Sequence, residues 1–159
     1  MEKNIIISNN ALNRMVNDIK SILNKARENA YASINQNILY SNWQIGRRIV
    51  EEEQNGKERA DYGTQLLKAL SQQLVSDIGK EYNVRNLWYY KQFYLSFPDW
   101  QIVNARVHNL KWTHIRSILR VNDSEARLWY LKEASEQMWS TRTLDRNVAS
   151  QYYYRLLQT

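Results

Sequence analysis

Apolar residues recur three or four positions apart from Leu12 through Met15, Val16, Ile19, Ile22, Leu23, Ala26, Ala30, Ile34, Ile38 and Ile45 to Ile49. Only an α-helix turns that spacing into one stripe. No proline and a single glycine, Gly46, interrupt it. The pattern predicts a helical segment over 9–54, either one very long helix or two end to end. Ser8, Asn9 or Asn10 can cap its start, and Asn55-Gly56 supplies the residues that most easily turn left-handed at its end. Glu51, Glu52 and Glu53 fall at the negative end of the helix, where carboxylates are disfavoured. Arg47 and Arg48, four residues before Glu51 and Glu52, can offset part of that. Arg47 either bridges to one of these glutamates or clamps an anion.

The rest of the 159 residues read as helical too, and composition supports this. Four Gly and one Pro are too few for the hairpins and corners of a β protein, or for a glycine-rich phosphate loop. With no Cys there is no disulfide framework, thiolate metal site or thiol nucleophile. The chain is long enough for one domain, 1–159, and no apolar run approaches the roughly 18 residues that span a bilayer. A cytoplasmic location is the default expectation.

Leu66, Leu67, Leu70, Leu74, Val75 and Ile78 form a second amphipathic helix stopped by Gly79. A third starts near Asn83 and carries Leu87, Tyr90 and Phe93 inward until Pro98 forbids continuation. Two helices flanking a turn of about four residues with a glycine have the spacing of a helix-turn-helix, here over 63–97. The C-terminal helices cover 111–158: one over 113–120, one over 123–138 with Asn122 and Glu125 as a capping box, and a last one capped by Ser140 and running to the end. A short helix in 99–108 precedes them. The fold class is all-α, a helical bundle with a long N-terminal helix or helix pair.

Charge is unevenly spread. Net charge is +6, from 22 basic and 16 acidic residues, and residues 83–159 hold 11 basic against 6 acidic. A basic half suits a polyanionic partner. On the third helix, Arg85, Asn86, Tyr89 and Gln92 lie away from the inward stripe, with Lys91 near its edge. A recognition helix offers such a face to the major groove, Arg pairing with guanine, Asn or Gln with adenine and Lys with phosphate. The same residues also suit an ordinary solvated face. Arg142 and Arg146 share a face of the last helix, as Arg116 and Arg120 do on an earlier one. They are phosphate contacts if DNA binds, and surface charge otherwise.

Catalytic patterns are missing. His108 and His114, the two histidines, are six apart and face different ways on any shared helix, so no metal-ligand motif exists. Nothing like G-x-S-x-G occurs. Pro98-Asp99 imitates the opening of a two-metal nuclease signature, but Glu125-Ala126-Arg127 has Arg where Lys is wanted. No enzyme, cofactor or metal is expected of this chain.

Several ordered blocks carry a family resemblance. They are Trp43-Gln44-Ile45-Gly46-Arg47-Arg48-Ile49 with Glu51-Glu52-Glu53-Gln54; Arg85-Asn86-Leu87 with Tyr90-Lys91-Gln92-Phe93 and Pro98; Leu110, Trp112 and His114; Glu125-Ala126-Arg127-Leu128-Trp129-Tyr130; and Trp139-Ser140. Together, from about residue 10 to 157, they resemble the N-terminal domain of the YhcG-type family of nuclease-associated proteins. The resemblance implies an all-helical, helix-turn-helix-like, DNA-binding segment that precedes a separate PD-(D/E)xK endonuclease-like domain. No counterpart of that catalytic domain is present in the sequence. Lys111 and Thr113 stand where the family usually shows Pro and Gly, and the loop Gly79-Lys80-Glu81-Tyr82 is shorter than usual. Within the first block, Trp43, Ile45 and Ile49 are expected to seat the long helix on the bundle, and Gly46 to admit a second helix closely.

The leading expectation is a DNA-binding module that delivers a nuclease domain, held in cis or in trans, to its target. The alternative is an oligomerisation or protein-docking module without direct nucleic-acid contact. The apolar stripe of the long helix extends beyond what a small bundle covers, so pairing into a homodimer is also expected.

Overall fold

A computed structural model describes residues 8–55, 62–106 and 109–159. Eight α-helices and no strand occur among the described residues: α1 (Asn9–Asn55), α2 (Tyr62–Asp77), α3 (Val84–Ser96), α4 (Trp100–Asn104), α5 (Trp112–Leu119), α6 (Ser124–Glu136), α7 (Thr141–Ala149) and α8 (Tyr152–Leu157). The expected 9–54 segment is thus one helix. Ser8 caps it, its Oγ accepting from the Ala11 amide at 3.1 Å. It ends at Asn55; Gly56 and His108 lie outside the described residues.

α1 divides into two parts with different surroundings. From Leu39 onward it packs on the body, burying Leu39, Trp43, Ile49 and Val50. Gln36 makes the first side-chain hydrogen bond from α1 to the body, its Nε2 donating to Asn104 Oδ1 at 2.9 Å. Residues 12–31 are exposed on every face, Ile22 to 66%. The stripe therefore belongs to two different structures, a core seam and a bare arm.

The body is built around α3. Leu87, Tyr90 and Phe93 are all buried, as the inward stripe requires. α1 crosses α3 at Gly46, where a Cβ would come 1.9 Å from the Tyr90 carbonyl oxygen. No residue with a side chain fits there. Trp43 then reaches over the end of α3, its Nε1–H donating to Phe97 O at 2.8 Å just before Pro98. Two apolar clusters result. The larger joins α1, α3, α5, α6 and α7 through residues such as Trp43, Phe93, Ile115, Tyr130 and Leu144. The smaller joins Ile49, Leu67, Leu87 and Tyr90 of α1, α2 and α3, and Trp112 packs against both.

Two local expectations are corrected. The start of α6 is capped by Asp123, whose Oδ1 accepts from Glu125 N at 3.0 Å, rather than by Asn122. Asn122 instead offers its carbonyl to Arg127. The last helix is not continuous: Ser140 caps α7, as expected, but Gln151 turns left-handed at φ 57° and starts α8. The break lets Tyr152 and Tyr153 fold back on Trp129 of α6, with ring centroids 5.8 and 5.4 Å away. Tyr130 fastens it, its hydroxyl donating to Asn147 O and accepting from Tyr153 N.

Candidate functional site

The turn between α2 and α3 is a 3-10 helix, Lys80–Tyr82, followed by Asn83, whose side chain caps α3 by accepting from Asn86 N at 2.9 Å. This cap fixes the first turn of α3, from which Arg85 projects into solvent. One turn on, Tyr89 faces α5. There it meets Arg116, whose guanidinium carbon lies 4.4 Å from the phenol ring centroid, while that of Arg85 lies 5.8 Å away. Two cations thus flank one ring, an arrangement that holds their planar forks in place by cation–π attraction.

These residues line an open cleft of about 290 Å³ between α3, α5 and α7, completed by Arg120, Ser117, Thr113, Thr141 and Asp145. Its two ends differ. At one, Arg120 pairs with Asp145 at 2.7 Å, and Ser117 also donates to that carboxylate. At the other, neither Arg85 nor Arg116 has a carboxylate partner among the described residues. The Tyr89 phenol is held below its ordinary pKa mainly by hydrogen bonding to Arg116 and then to Arg85. A group that ionises more readily there reports a site that favours negative charge.

The sequence-derived candidates separate into two groups. Arg85 and Tyr89 lie in the cleft, and Arg142 and Arg146 stand exposed on α7, which forms one of its walls. Asn86 and Lys91 have internal partners. Asn86 Nδ2 donates to Glu81 O at 2.8 Å, closing the turn. Lys91 Nζ pairs with Glu53 of α1 at 2.8 Å, the two side chains only 22% and 17% exposed. Gln92 is half-buried beside it. Beside Arg85, the apolar Val84, Trp88 and Leu95 supply much of the exposed surface of α3. Arg47 and Arg48 bridge to Glu51 and Glu52 at 2.9 and 3.1 Å, so the bridging reading of Arg47 is the observed one.

Two contributors to the cleft had no signal in the sequence. Stacking of Arg116 on Tyr89 and the claim of Asp145 on Arg120 both depend on how α5 packs between α3 and α7, and the residues are 27 and 25 apart in the chain. That packing is pinned by His114. Its Nδ1 accepts from the Lys111 amide at 3.0 Å, and its Nε2 lies 2.7 Å from Trp139 O, to which it donates in the neutral form. Burial, the largest cause, holds its pKa below the ordinary histidine value.

Among the described residues no group of three or more His, Asp or Glu stands together that could hold a metal ion. No described helix is long and apolar enough to cross a membrane.

Comparison with known proteins adds two findings. Residues 18–155 match the family described as the DUF1016 N-terminal domain. The chain is also 32% identical, over an alignment of 166 residues, to the Escherichia coli (strain K12) protein described as "Putative nuclease YhcG". That alignment takes in 86% of this chain and 44% of the relative, so the chain spans less than half of the curated protein it matches. No solved structure matches it.

Proposed function

The chain belongs to the DUF1016 N-terminal domain family, and from that premise we propose that it is a DNA-binding module that targets a nuclease domain, carried in cis or supplied in trans. The observation that supports this reading is the pairing of Arg85 and Arg116 over Tyr89 at the open end of the cleft. Guanidinium forks match the oxygens of a phosphodiester bidentately, and here they meet no internal carboxylate among the described residues. The exposed Arg142 and Arg146 extend the positive surface along α7.

In this proposal the contacts grip backbone more than they read bases. Lys91 and Asn86 are engaged within the fold, so of the helix-turn-helix face only Arg85, Tyr89 and the half-buried Gln92 remain for DNA. Phosphate contacts position a protein without specifying sequence. The test is a fluorescence-anisotropy titration with a labelled duplex. Arg116→Ala is expected to weaken binding about tenfold, the effect of losing one charged hydrogen-bonded contact. No binding by the unaltered chain, or full affinity in the variant, contradicts the proposal.

A second reading, an oligomerisation or docking module, is favoured by a different surface. The arm of α1 leaves Leu12, Met15, Ile19, Ile22 and Leu23 exposed together. It requires nothing of the cleft.

A further inference from the structure

We propose that the α1 arm pairs with the same arm of a second copy, antiparallel and in one register fixed by charge. This rests on the second reading above and goes beyond it by naming the partner, the orientation and the contacts.

Leu12, Ile19 and Ala26 recur every seven residues and form the centre of the arm's apolar face, with Met15 and Ile22 on one flank and Val16 and Leu23 on the other. All are exposed. A seven-residue repeat is the pattern of helices that pair along their length. With Leu12, Ile19 and Ala26 at the first core position of the heptad and Met15 and Ile22 at the second, Val16 and Leu23 flank the seam on one side. Asp18 and Lys25 flank it on the other. These two are the charged residues next to the seam, and they have opposite sign.

That placement discriminates between arrangements. In a parallel pair each charged position faces an apolar one across the seam, Asp18 meeting Leu23 and Lys25 meeting Ala30, and no ion pair forms. In an antiparallel pair the charged positions face each other. Moving one heptad in either direction sets Asp18 against Asp18 or Lys25 against Lys25. One register remains, with Ile19 against Ile22, Met15 against Ala26, Val16 against Leu23, and Asp18 against Lys25 twice by symmetry. Like charges are excluded there and opposite charges are matched, which is how flanking residues select partner and orientation.

The dimensions agree. The shared stretch, Leu12 to Asn29, is about 27 Å long at 1.5 Å per residue. In this register the first helical residue, Asn9, comes level with Ala32 of the partner subunit. It stops short of Gln36, the first residue of α1 to hydrogen-bond the body. Two bodies therefore lie at opposite ends of a shared rod.

The test uses the full chain. Sedimentation equilibrium at roughly 100 µM is expected to give twice the 19.1 kDa chain mass. Asp18→Lys or Lys25→Asp alone places two like-charged pairs across the seam and is expected to weaken the dimer at least about tenfold. The double swap restores it. Because the chain has no cysteine, an Asp18→Cys copy mixed with a Lys25→Cys copy reports orientation directly, and cross-links are expected between the two kinds of copy. The arm touches nothing in the body, so Ile22→Asp is expected to give a monomer with an unchanged near-ultraviolet spectrum. A monomeric parent chain overturns both this proposal and the docking reading as applied to a second copy. A dimer that ignores the charge reversals, or one that cross-links only like with like, overturns the antiparallel register and leaves the docking reading standing.

Discussion

Gly46 and His114 each hold a joint that the cleft depends on. At Gly46 the obstacle to a side chain is the Tyr90 backbone carbonyl, which cannot rotate aside. Alanine there gains about 1 kcal/mol of helix propensity, yet overpacking of this kind costs about 3 kcal/mol. Gly46→Ala is therefore expected to lower the urea midpoint with no change in slope; an unchanged midpoint would mean that α1 and α3 cross less tightly. His114 makes stability pH-dependent. In the folded chain its pKa is lowered, mainly by burial, so the unfolded chain binds the proton more readily. Its contribution is complete above the unfolded value of about 6.5 and falls away as pH drops from there through the folded pKa. Protonated, the ring would also point an Nδ1–H at the Lys111 N–H. The unfolding free energy is expected to decline on acidification below about pH 6.5, and less steeply in His114→Asn; equal pH dependence in both proteins would contradict this role.

At the level of elements, what could be read in advance tracks how each helix ends. α1, α2 and α3 stop at an Asn-Gly pair, at a glycine and before a proline, and their positions were legible from those residues. The helix read over 123–138 does end close by, at Glu136 of α6, but the end of α7 was not legible, because the chain has no glycine beyond Gly79. Met138 and Gln151 take left-handed backbones instead, at φ 54° and 57°. At Met138 the geometry is a Schellman turn, with Trp139 N donating to Ala134 O and Met138 N to Ser135 O. An L residue in that conformation costs about 1 kcal/mol or more relative to glycine. Met138 is 73% exposed and adds little packing, so Met138→Gly is expected to raise stability by about 1 kcal/mol in a thermal melt. A loss would show that the Met138 side chain matters more than its backbone. Which side chains of α3 are free was legible only in part for a related reason. Helical spacing places Lys91 near the edge of α3, but only tertiary packing brings Glu53 to it from 38 residues away.

Across the whole molecule, two surfaces lie apart and ask different questions. The arm concerns how many copies assemble, and the cleft concerns what they hold. A dimer would present two clefts to one duplex, so the arm and DNA affinity are coupled through effective concentration while each surface keeps its own contacts. Ile22→Asp is accordingly expected to weaken duplex binding without changing which cleft residues matter, as read by adding Arg116→Ala to it. The central claim, that Arg85 and Arg116 neutralise phosphates, is tested most directly by the salt dependence of duplex affinity. Binding of the parent chain should fall linearly on a logarithmic salt axis, and Arg85→Ala with Arg116→Ala together should make that slope shallower by about 1 for each arginine removed. An identical slope in parent and double variant would place the DNA, if it binds, on some other surface.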